Sequence, residues 1–121
     1  NRQSGSGTRV WLDARLREGK LTSNMIPGYE NEKLTHTDVA RSIASGFANA
    51  GIGLQAAAAA FDLGFIPLTS ELFELVIPVE NMNRRAFQDL VSWLGTDQAH
   101  NIIANLDGYD PTRTGEIRWV Q

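Results

Sequence analysis

The sequence predicts an α/β domain, with a parallel-rich sheet flanked by helices. Two short apolar runs, FIPL at 65–68 and FELVIP at 73–78, suit buried strands, and each is marked by a proline. Around them lie stretches whose apolar residues recur at helical spacing, with start and stop residues in place. The two kinds of element alternate without internal repeats, which favours parallel connections. No linker divides the composition, and 121 residues are the size of one domain.

Residues 8–18 (TRVWLDARLRE) predict a helix, with Ser6 or Thr8 as N-cap and Gly19 as terminator. From Gly19 to Leu34 the chain is polar, contains Pro27 and Gly28, and reads as a loop. A second helix opens at Thr35 or Thr37, carries Val39, Ala40, Ile43, Ala44 and Phe47, and ends at Gly46. NAGIGL at 49–54 predicts a short strand, and QAAAAAFDLG a short helix closed by Gly64. After the two apolar runs, Phe87, Leu90, Val91 and Leu94 mark an amphipathic helix broken by Gly95. Thr96 caps another helix containing Ile102, Ile103 and Leu106, and the tail GYDPTRTGEIRWV is turn-rich, then extended.

The formal net charge is −3, and the basic residues are scattered, so this chain has no concentrated basic face with which to grip nucleic acid. Cysteine is absent, which excludes disulfides and thiolate metal sites. Two separated histidines make a zinc site unattractive. No apolar run approaches the ~20 residues of a membrane span, so no membrane partner is expected. The N-terminus lacks a signal-peptide pattern and an initiator methionine, which fits a piece of a longer, cytoplasmic protein.

The stretch SGSGTR at 4–9 carries the chemistry. Gly5 and Gly7 permit tight turning and close backbone approach, while Ser4, Ser6 and Thr8 offer hydroxyls. The first amides of the following helix have no internal acceptor, and its dipole favours an anion there. An oxyanion held by neutral donors, with Arg9 as optional charge, is one reading; a serine-capped helix with nothing bound is the other. No lysine follows, so the loop is not a Walker motif. Val10 stands where a dinucleotide fingerprint needs glycine or alanine.

GSGTRVWLD, then GYENEKLTHTDVARSIASGFANAGIGLQAAAAAFDLGFIPL, then ELFELVIP stand in an order that resembles one family. It is the periplasmic-binding-protein-like domain of molybdopterin-biosynthesis and molybdate-regulatory proteins, and the resemblance spans about residues 1–110. It implies a type II periplasmic-binding-protein fold, in which two α/β lobes close on a ligand. The chain would supply mainly one lobe: 1–68 as the second lobe, and 69–121 as a return strand with C-terminal helices. Those helices would have apolar faces meant for an absent first lobe, so a homo-oligomer is expected. DNA would be met only through a domain outside this chain.

By the same resemblance, Ser6, Gly7, Thr8 and Arg9, with Ser4 beside them, are candidate ligand contacts, and Gly51 and Gly53 sit at a neighbouring strand end. Asn49 replaces the family's aspartate, loses its charge and, still able to donate and accept hydrogen bonds, remains a candidate ligand contact, while Phe73 replaces the family's tyrosine. His36 could reach the cleft, although satisfying local backbone at a helix start is the commoner role. Tyr29 could wall the cleft or pack beneath the loop. Asp13, four residues after Arg9, could pair with it and hold it aside. Neither histidine can be set against Ser6 by spacing, so no nucleophilic site is supported and no catalytic residue is expected. The reading is non-catalytic binding of an oxyanion, molybdate or tungstate first, with no cofactor, in a molybdenum-cofactor or transcription-regulatory protein. Alternatives are an organic, pterin-like ligand or a degenerate oligomerisation scaffold.

Overall fold

The computed structural model describes residues 1–120. It holds five α-helices: α1 (Gly7–Glu18), α2 (His36–Ala44), α3 (Gln55–Ala59), α4 (Arg85–Leu94) and α5 (Asp97–Ala104). Single 3-10 turns lie at Ser23–Met25 and Val79–Asn81. The chain forms two compact units, Asn1–Ile66 and a second beginning at Pro67.

Three of the helices, α1, α2 and α5, start at a hydroxyl that supplies an acceptor to a first-turn amide. The Ser6 Oγ accepts from the Arg9 amide at 3.3 Å, that of Thr35 from Asp38 at 3.0 Å, and that of Thr96 from Ala99 at 3.3 Å. The ends of α1, α2 and α3 share one device, in which a residue at positive φ turns the chain back onto the last carbonyls. For α2 that residue is Gly46 (φ +78°), with the Phe47 amide donating to the Ser42 carbonyl at 2.9 Å. For α1 the expected stop, Gly19, has φ −76°, and Lys20 takes the left-handed position at φ 55°. The Leu21 amide then donates to Leu16 at 2.8 Å. Asp62 (φ 53°) does the same after α3, so that helix closes before Gly64.

The parallel-rich sheet expected from the sequence is not present among the described residues. One isolated parallel bridge, Arg2 with Lys33, is the extent of strand pairing. It is flanked by bonds from the Gln3 amide to Lys33 O (3.0 Å) and from the Lys33 amide to Asn1 O (2.8 Å). The segments 49–54, 65–68 and 73–78 run without regular pairing. Parallel strands need layers on both faces. Here Ile66 is 80% and Val76 83% exposed, so these runs have no covering layer. Pro67 and Pro78 also remove ladder donors.

In the first unit α2 packs on α3, and Val39 and Ala40 are buried. Gly51 lies so close to α2 that a Cβ there would come within 2.6 Å of Val39 Cγ1. In the second unit α4 packs on α5, with Ala99 fully buried. The small Ala99 side chain permits the close approach, and Phe87, Val91 and Leu94 form the half-buried face of α4.

Candidate functional site

The parallel pairing of 1–3 with 31–33 sets the geometry of the first unit. Both segments run the same way, and each leads through a short connection into a helix, α1 or α2. The N-termini of α1 and α2 therefore open at the same end of the paired segments.

At the first of these, Gly5 adopts φ +82°, with open space where its Cβ would be. Gly7 is likewise open on that side. The Ser6 hydroxyl takes the Arg9 amide, while those of Gly7 and Thr8 have no acceptor among the described residues. Ser4 is exposed, and Ser6 and Thr8 are half-buried. The result is a short run of outward-facing neutral donors at the positive end of a twelve-residue helix.

Arg9 contributes no charge to that run, because its guanidinium is engaged inside the unit. Arg9 is only 8% exposed. Its Nε donates to Asp13 Oδ1 (3.1 Å) and the Tyr29 hydroxyl (2.9 Å), and its Nη1 to Glu32 Oε1 (3.0 Å) and Arg2 O (3.3 Å). The guanidinium also lies 4.0 Å from the centre of the Tyr29 ring. Tyr29 is buried beneath it and donates its hydroxyl proton to Asp13. Burial works against the charge of Arg9, but bonding to Tyr29 and Asp13 outweighs it and leaves Arg9 more firmly protonated than usual. The bond to Asp13, then burial, push the Tyr29 hydroxyl above its ordinary value.

The second connection carries His36. Thr35 caps α2 and also donates its hydroxyl proton to Asp38 Oδ2 at 2.7 Å, while Arg41 holds Oδ1 at the same distance. The Thr35 bond, which outweighs the opposing effect of burial, together with the charge and bond of Arg41, holds Asp38 below its ordinary value. Beside this start lies a hollow of about 480 Å3. Arg2, Thr35, His36 and Thr37 form its polar side. Leu34, Leu54 and the small faces of Ala56, Ala57 and Ala60 form the rest. The Arg2 Nε is shut off from solvent and has no hydrogen-bond partner.

The structure thus keeps Ser4, Ser6, Gly7 and Thr8 together, and joins Arg9 to Tyr29 in an internal cluster. Gly53 lies by His36, with its Cβ position 3.6 Å from Nδ1, and Gly51 faces α2. Asn49 is exposed ahead of them. Sequence reasoning passed over Arg2, Glu32 and the alanine wall. A parallel bridge between residues 2 and 33 has no local signature, and the alanine run signalled helix without signalling the space beside it. Among the described residues no cluster of histidine, cysteine or carboxylate could hold a metal, and no helix is long and apolar enough to cross a membrane.

A family model described as a PBP superfamily domain matches residues 1–95. The uncharacterized protein YvgK of Bacillus subtilis (strain 168) is 32% identical over 117 residues, covering 97% of this chain and 37% of YvgK. A Clostridium pasteurianum protein, described as an uncharacterized protein in the ferredoxin 2Fe-2S gene 5' region, is 33% identical over 109 residues. That match covers 89% of this chain and 96% of the relative. The chain therefore spans little more than a third of YvgK and nearly all of the clostridial protein. No solved structure matches it.

Proposed function

The chain belongs to the PBP superfamily, and from that premise we propose that it is a non-catalytic module that binds a small oxyanion at the N-terminus of α1. The observation that carries the reading is the pair of unengaged amides at Gly7 and Thr8, beside the Ser4, Ser6 and Thr8 hydroxyls. Anions are favoured where free amides and the helix dipole point the same way. Because Arg9 is committed to Asp13, Glu32 and Tyr29, neutral donors carry the site. Molybdate and tungstate are the first candidates, on the strength of the ordered motifs, and a molybdenum-cofactor or regulatory setting goes with them. Closure of a further lobe over the loop would be the signal.

Self-association is part of the proposal. Phe65 and Ile66 in the first unit, and Leu68, Leu72, Phe73 and Val76 in the second, are exposed apolar residues in a short span of chain. Such exposure is relieved by burial against another surface. The cytoplasm is the proposed compartment.

The test is thermal unfolding of the chain with molybdate, tungstate, sulfate or phosphate at matched ionic strength, alone and as Thr8→Val. A ligand at ~100 times its dissociation constant adds about 2.7 kcal/mol of stability. A rise with molybdate or tungstate that Thr8→Val removes supports the reading; equal response to every anion, or none, contradicts it.

A further inference from the structure

We draw no further inference here: the strongest candidate, the exposed apolar surface stretch at 72–76 in the second unit, where Leu72, Phe73, Leu75 and Val76 stand open, carries nothing because nothing in the structure shows what covers it.

Discussion

Arg9 sets a full positive charge in a unit whose other buried side chains are Tyr29, Val39 and Ala40. Such a charge persists only when several acceptors surround it, and here Asp13, Glu32, the Tyr29 hydroxyl and the Arg2 carbonyl do so. Asp13 and Glu32 are 40% and 39% exposed, so each pair contributes less than a fully buried one. Arg9→Leu should cost about 2–3 kcal/mol in denaturant unfolding, and Tyr29→Phe about 1 kcal/mol. The raised Tyr29 pKa adds a pH signature. The neutral phenol is the form favoured by folding, so its stabilisation is complete below the ordinary value of 10.0 and is lost as pH rises through the folded value. Stability measured across the alkaline range should fall less steeply in Tyr29→Phe than in the parent. The Arg9–Asp13 spacing was legible in the sequence as an i,i+4 pair. That Tyr29 and Glu32 complete the cluster was not, because those contacts cross 20 and 23 residues of chain.

Helices are the elements whose beginnings local chemistry announces. Ser6, Thr35 and Thr96 were readable as caps because a hydroxyl before an apolar-periodic run has one clear use there. Endings were less legible. Gly19 looked like the left-handed stop of α1, but Lys20 holds that conformation. Lys20→Gly should therefore raise stability by about 0.5–1 kcal/mol, read as a higher melting temperature, whereas a β-branched residue at position 20 should lower it. Gly51 gives the opposite case. A methyl there would meet Val39 Cγ1 at 2.6 Å and Ile43 Cδ1 at 3.4 Å, and buried Val39 is stiff at χ1. Gly51→Ala should destabilise the first unit by about 1–3 kcal/mol. The cap of α2 carries its own pH dependence. The Thr35 bond, followed by Arg41, depresses the Asp38 pKa, so its stabilisation is present above the ordinary 3.8 and is lost as pH falls through the folded value. Thr35→Val should flatten that acid limb in a stability-against-pH series.

The sheet is where the whole molecule departs from its sequence pattern. Apolar runs at 65–68 and 73–78 have the composition of buried parallel strands, but composition states only what a segment could do when both faces are covered. Covering layers are set by the whole assembly and have no local signature. The result, among the described residues, is a helical structure with one parallel bridge, and apolar residues such as Ile66 and Val76 left at the surface. The same bridge nevertheless brings the starts of α1 and α2 to one end of the paired segments, which a reading of motifs in series could not supply. The central claim is that the free amides at the start of α1 hold an oxyanion while Arg9 stays inside. Amide-resolved NMR of the chain, titrated with molybdate at constant ionic strength, tests it most directly. The account predicts the largest shifts at Gly7 and Thr8, with the Arg9 side-chain Nε signal unmoved. Shifts centred elsewhere, or none at these two amides, would contradict it.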